Sequence, residues 1–118
     1  MKKIELVMDY SWGFRSLSFI KTFEIPCHPF IGLSILDEND DSELMIDIKN
    51  DDYQKSSIIW RVSTQIFEVD IRTNWGKYGI SKENIEDLIK TFELLGWKKL
   101  HTDKEEEEML SWSEKNEK

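Results

Sequence analysis

The sequence is poor in the residues that build metal centres, disulfides and activated nucleophiles. Its 118 residues include one cysteine, two histidines, two prolines and five glycines. The single cysteine, Cys27, excludes an internal disulfide and fits a reducing compartment. Zinc sites draw on clusters of Cys and His, and only Cys27, His28 and His101 are on offer. Adjacent side chains of an extended segment point to opposite faces, so Cys27 and His28 are poor co-ligands. Cys27 and His101 form a nucleophile and base only if the fold joins them. Between Pro26 and Pro29, Cys27 reads more simply as a small apolar residue at a kink. No Gly-x-Ser-x-Gly elbow is present. Trp75-Gly76-Lys77-Tyr78-Gly79 precedes a helix-like stretch but lacks the Gly-Lys-Ser/Thr ending of a phosphate loop. It reads as a strand-to-helix turn. We expect a protein that is not an enzyme and that carries no metal and no cofactor.

Long apolar runs are also missing. None approaches the roughly 18 residues of a membrane span. Met1-Lys2-Lys3-Ile4-Glu5 has no apolar h-region or small-residue cleavage site, and Glu5 and Asp9 interrupt the apolar pattern. The expected location is cytoplasmic.

Acidic charge is abundant. The formal net charge is −8, and it is unevenly placed. Residues 37–56 hold eight acids against two lysines, and residues 81–118 hold eleven against seven. Such a surface repels phosphate backbones and anionic lipid within about a Debye length. Nucleic-acid binding needs Lys and Arg to displace counterions, so it is not expected. A protein partner with a basic surface is. The bland alternative is that net charge only keeps a small domain soluble.

The pattern along the chain is that of a small α+β domain. The length fits one domain over residues 1–102. Residues 103–118 form an acidic tail, with Met109, Leu110 and Trp112 permitting a short helix. Alternation at Ile4, Leu6 and Met8 gives a first strand. Gly13 supplies a turn, and Leu17 to Ile25 gives a second strand, on which Lys21 interrupts the apolar face. Further strands are expected at Phe30–Leu36, Leu44–Lys49, Ser57–Val62 and Ile66–Thr73. The link Ser63-Thr64-Gln65 has no glycine, so it fits either a hairpin turn or a bend in one strand. Ser81 is a good N-cap for a helix carrying Ile85, Leu88, Ile89, Phe92 and Leu95 on one stripe, with Gly96 placed to end it. The expected architecture is therefore an antiparallel sheet of five to six strands, with one main C-terminal helix packed on one face. Trp60 and Trp97 read as core.

The densest feature is Asp37-Glu38-Asn39-Asp40-Asp41-Ser42-Glu43, which reads as a charged hairpin loop. Asp37, Asn39 and Asp41 have the 1-3-5 spacing of a calcium loop. Ser42 then stands where such a loop needs Gly, and Ile48 where it needs a bidentate Glu. Glu68 and Asp70 share a strand face. They either line a cleft or form the wet side of the sheet, which is the commoner arrangement. Trp12 and Trp75 each precede a glycine. Tryptophan is frequent among interface hot spots, and equally able to fold back over a core.

The candidate partner-binding residues are thus Asp37, Glu38, Asp40, Asp41, Glu43, Trp12 and Trp75. The expected function is a small acidic protein-binding module. An inhibitor or immunity-type protein, acting on a basic surface of a toxin, nuclease or defence component, has this physical profile. One alternative is a structural or adaptor domain of a larger assembly. Another is a small enzyme or ligand-binding domain whose site forms only in the fold.

Overall fold

The computed structural model describes residues 1–12, 15–76 and 81–100. The acidic tail and the turn at Gly13 lie outside these residues. The described chain runs β1 (Lys2–Trp12), β2 (Arg15–Ile25), β3 (Ser34–Glu38), β4 (Glu43–Asp47), β5 (Gln54–Arg61), β6 (Ile66–Asn74), α1 (Lys82–Leu94) and β7 (Lys98–Lys99). Five strands form one sheet in the order β5-β6-β1-β2-β7, while β3 and β4 form a separate hairpin. The fold is α+β, and it differs from expectation in several respects.

The sheet is mixed, not antiparallel. β1 pairs antiparallel with β2 but parallel with β6, in the register Ile4↔Phe67 to Ser11↔Asn74. β1 and β6 have the cleanest alternation in the chain, and side by side at the centre they bury it best. Alternation of period two records which face a side chain takes and says nothing of strand direction. The helix is also not C-terminal, because the chain leaves it to add β7 against β2 at Phe19↔Lys99 and Ile20↔Lys98. The expected strand at Phe30–Leu36 begins only at Ser34, after a turn in which Leu33 N–H donates to Phe30 O.

One face of the sheet carries the core. Ile4, Leu6, Met8, Tyr10 and Trp12 of β1, Leu17 and Phe19 of β2, and Val69 and Ile71 of β6 are buried. The helix covers the β1–β2 side of this face. Phe92 lies flat on Phe19, ring centroids 4.0 Å apart, and meets Tyr10 edge-on at 6.0 Å. Ile85, Ile89 and Leu95 complete the buried stripe, and Leu88 is half-buried at its margin. The β3–β4 hairpin buries Ile46 and Ile48 against the same face. It is tied to β2 through Asp37 and Lys21, and to β5 through Asp47 O, which accepts from Gln54 Nε2. Helix and hairpin lie on one side, so no described element covers the opposite face.

The β5–β6 turn settles the open point of the sequence. It is a hairpin, and Gln65 adopts φ 56°, the left-handed geometry usually given to glycine. Its N–H donates to Arg61 O at 2.8 Å. Trp60 departs from its expected core position and is 50% exposed, because β5 is an outer strand and Trp60 sits near its end. Trp97 is buried as expected.

Both helix ends are built as the sequence implies. Ser81 Oγ accepts from Asn84 N–H at 3.2 Å. At the other end, Gly96 N–H donates to Glu93 O and Trp97 N–H to Phe92 O, at 3.1 and 2.9 Å. Gly96 has φ +81°. This is the Schellman arrangement, with the contact between Phe92 and Trp97 that accompanies it. A Cβ on Gly96 would meet nothing within 4 Å, so only backbone strain opposes a side chain there. Gly96→Ala should cost about 1–2 kcal/mol, with Gly96→Asn costing less. Urea denaturation measures this; equal midpoints for Gly96→Ala and wild type would show that the left-handed turn is not required.

Candidate functional site

The acidic run does not fold as one loop. Asp37 and Glu38 finish β3, Glu43 opens β4, and only residues 39–42 turn the chain. Asn39 makes that turn. Its Oδ1 accepts from the N–H groups of Asp41 and Ser42, both at 2.8 Å, and its own N–H donates to Ser42 O at 2.9 Å. Asparagine suits this position because its short side chain can mimic a backbone acceptor. The Asn39 amide nitrogen is used as well, donating to Leu94 O at 2.9 Å. That carbonyl belongs to the last turn of α1, whose terminal carbonyls have no intrahelical partner. The turn is therefore pinned to the helix end.

Asp37 is anchored even more firmly. Lys21 Nζ donates to both of its carboxylate oxygens, at 3.0 and 2.9 Å, and Trp97 Nε1 donates to Oδ2 at 2.7 Å. Lys21 also donates to Leu95 O. Its ammonium lies 5.1 Å from the Phe23 ring centre. The lysine that interrupts the apolar face of β2 is thus the hub joining β2, the hairpin and the helix end. Sequence reasoning did not find this role. The available signal was one cation within an alternating apolar face, which requires a buried or half-buried anion nearby.

The remaining acids, Glu38, Asp40, Asp41 and Glu43, are exposed. They form a negative tip on a turn held by hydrogen bonds to its own backbone and to the helix. Asp37 does not share that exposure, and its carboxylate is committed to Lys21 and Trp97. Asp37 and Asn39, two of the three residues with calcium-loop spacing, both make these internal bonds. Among the described residues, no group of three or more His, Cys, Asp or Glu is arranged to hold a metal ion.

Structure separates the two candidate tryptophans. Trp12 is fully buried at the end of β1, its ring centre 5.5 Å from that of Trp75. It fills the core and presents no surface to a partner. Trp75 is half-buried, stacked on Tyr10 at 4.8 Å. Its outer side lines a shallow cavity of about 390 Å³ with Asp52, Tyr53, Thr73 and Asn74. Burial beneath these rings pushes the Tyr10 phenol well above its ordinary range. Of the seven candidates, Trp12 and Asp37 are thus turned inward, while Glu38, Asp40, Asp41 and Glu43 are exposed and Trp75 is half-buried.

The open face carries other charges. Arg61 Nη2 bonds Glu68 Oε1, Ser18 Oγ bonds Asp9 Oδ1, and Arg72 lies 3.9 Å from Asp9. Glu68, expected on the wet side, is only 7% exposed. Asp70 is held above the usual carboxylate range, first by desolvation and then by the negative charges of Glu68 and Asp9. A second cavity, of about 370 Å³, lies between Lys2, Lys3, His28, Trp60 and Phe67. His28 is exposed and meets the Phe67 ring edge-on at 5.2 Å. Cys27 is half-buried, and His101 falls outside the described residues, as does any pairing of the two.

No helix among the described residues is long and apolar enough to cross a membrane. No family model, no curated protein and no solved structure matches this chain.

Two expected outcomes test this geometry. Asp37→Ala removes the acceptor of Trp97 and the carboxylate partner of Lys21, leaving Lys21 only Leu95 O, and should cost about 2 kcal/mol, since charged hydrogen bonds contribute about 1.5–3 kcal/mol and partial exposure screens this one. Asp37→Asn keeps an acceptor for Trp97 and should cost less. A denaturation midpoint unchanged by Asp37→Ala would mean that apolar contacts alone hold the hairpin. Asp70 is tested by pH. A carboxyl raised in the folded state stabilises the fold when protonated, and that contribution disappears as pH rises through its folded pKa. Asp70→Asn should therefore be more stable than wild type at neutral pH. The gain should shrink as the pH falls to the ordinary Asp value of about 3.9. A gain that persists unchanged into acid would dismiss the charge argument.

Proposed function

We propose that this chain is a protein-binding module, of inhibitor or immunity type, that recognises a basic surface on another protein. The observation that supports the reading is the fixed acidic tip. Glu38, Asp40, Asp41 and Glu43 are exposed on a turn that Asn39 ties to the end of α1. Like charges crowded on a turn repel one another and add nothing to the fold. On a rigid base they present a preformed field to an incoming partner, with little ordering cost on binding. Clustered carboxylates steer encounter with a cationic patch and raise the association rate. Where that patch is the nucleic-acid groove of a nuclease, the carboxylates stand in for phosphates. Asp37 serves the module by holding the strand behind the tip rather than by touching the partner.

The test begins with capture from native-host extract on immobilised wild-type protein and on an Asp40→Lys/Asp41→Lys variant. Both should bind the column equally and melt alike, because exposed charges at such a tip contribute little to stability. A basic protein should be retained by wild type and lost by the variant. With that protein purified, the wild-type association rate should fall steeply between about 50 and 500 mM salt, as the Debye length contracts severalfold. The variant should associate more slowly at low salt, with a flatter salt dependence. Equal rates for the two proteins at low salt would reduce the tip to a solvated turn.

A further inference from the structure

The two edges of the sheet differ. At one, β7 covers part of β2. At the other, among the described residues, β5 pairs with β6 alone, and none of the usual protections of an exposed edge is found along its middle. Natural edges carry inward charges, prolines or bulges that discourage pairing with another chain. Ser56-Ser57-Ile58-Ile59-Trp60 has none. The paired register to β6 runs unbroken from Gln54 to Arg61. Ile59 is 44% and Trp60 50% exposed. This stretch is also free of acids in an acidic chain: residues 53–66 include Lys55 and Arg61 and no carboxylate, and Arg61 is bonded to Glu68.

Hydrogen bonding shows which groups face outward. Ser56 N–H donates to the Asn50 side chain at 2.7 Å, and Gln54 O accepts from Asp51 N–H at 2.9 Å. Both bonds go to the segment that precedes β5, away from β6. Antiparallel ladders alternate, so the even-numbered residues direct their backbone groups outward and the odd-numbered ones toward β6. Asn50 and Asp51 occupy the start of the edge. Ile58 and Trp60 are left with outward N–H and C=O groups that no described residue meets.

We propose that a second copy of this chain pairs with that edge, antiparallel, about a two-fold axis through Ile59. In this register Ile58 lies opposite Trp60 of the second copy, and Trp60 opposite its Ile58. Both are outward-facing positions, so each pair exchanges two backbone hydrogen bonds. The side chains form aromatic-on-branched pairs, which are favourable across strands. Ile59 meets Ile59 of the second copy on the open face, and Ser57 meets Arg61. Shifting the axis to Ile58 would set Lys55 against Arg61 and bring Trp60 onto Ser56, whose N–H is already bonded to Asn50. The isologous arrangement closes after two copies, and it accounts for a half-exposed tryptophan on an edge strand. It goes beyond the proposed recognition of a basic partner and uses none of the acidic tip.

Sedimentation equilibrium of the whole chain should show a monomer–dimer equilibrium between micromolar and millimolar concentration. Ile59→Lys places two ammonium groups face to face and should shift it at least tenfold toward monomer, with an unchanged circular-dichroism melt at low concentration. A cross-link fixes the register independently. In a Cys27→Ser background, Ile59→Cys should oxidise to a covalent dimer, since a directly opposed, non-hydrogen-bonded pair has Cα atoms about 4.5 Å apart and disulfides span about 4.4–6.8 Å. Ser57→Cys, whose counterpart in the second copy lies farther along the strand, should not. A monomer at all concentrations, a dimer indifferent to Ile59→Lys, or equal cross-linking of the two cysteine variants would each overturn the proposal.

Discussion

The ammonium of Lys21 is the constraint on which the rest of the arrangement depends. β2 places it on the face that otherwise holds Leu17, Phe19, Phe23 and Ile25. A charge there is costly unless it is paired and hydrogen-bonded. The chain meets that cost with three groups that converge from elsewhere: both oxygens of Asp37 and the carbonyl of Leu95. Asp37 in turn receives the Trp97 indole N–H. One cation therefore fixes the position of β3, the end of α1 and the chain just beyond it. Apolar contacts alone would tolerate some sliding of a two-stranded hairpin over a sheet. A bidentate ion pair tolerates much less, because its energy depends on particular atoms being opposed.

That anchoring has a consequence for the acids that follow. Asp37 is drawn inward at one end of the run, and Asn39 fastens the turn to Leu94 O. The four exposed carboxylates are then presented from a base shared by hairpin, helix and sheet. The helix end contributes in a second way. Its last carbonyls are unpaired within the helix and carry partial negative charge. Lys21 and the Asn39 amide answer two of them, so helix termination and hairpin placement are solved by the same contacts.

The layered arrangement is one-sided. Helix and hairpin share a face, and the opposite face bears Glu5, Asp9, Glu68, Asp70 and Arg72 with half-buried Val7 and Ile20 between them. Charges on that face are close enough to perturb one another, as Asp70 shows. Acids thus stand in two contrasting settings: a tip where carboxylates are solvated, and a sheet surface where they are partly desolvated and paired with Arg61 and Arg72.

Much of this fold can be read from local pattern. Ser81, the stripe from Ile85 to Leu95 and Gly96 define the helix because capping and period 3.6 are properties of adjacent residues. Alternation places Ile4, Leu6, Met8, Val69 and Ile71 on a buried face for the same reason. Strand direction, strand order and the short β7 are not local. Parallel pairing of β1 with β6 depends on where a distant segment returns, and nothing in either strand encodes it. The acidic run reads as a uniform loop because its residues are chemically alike. Only a lysine sixteen positions earlier and a tryptophan sixty later distinguish Asp37 from Asp40. Trp12 and Trp75 precede glycines in near-identical triplets, yet one is core and the other borders a cavity. Composition and periodicity determined what kind of domain this is. The tertiary structure decided which charges are internal and which remain available, because that depends on groups brought together from far apart in the chain.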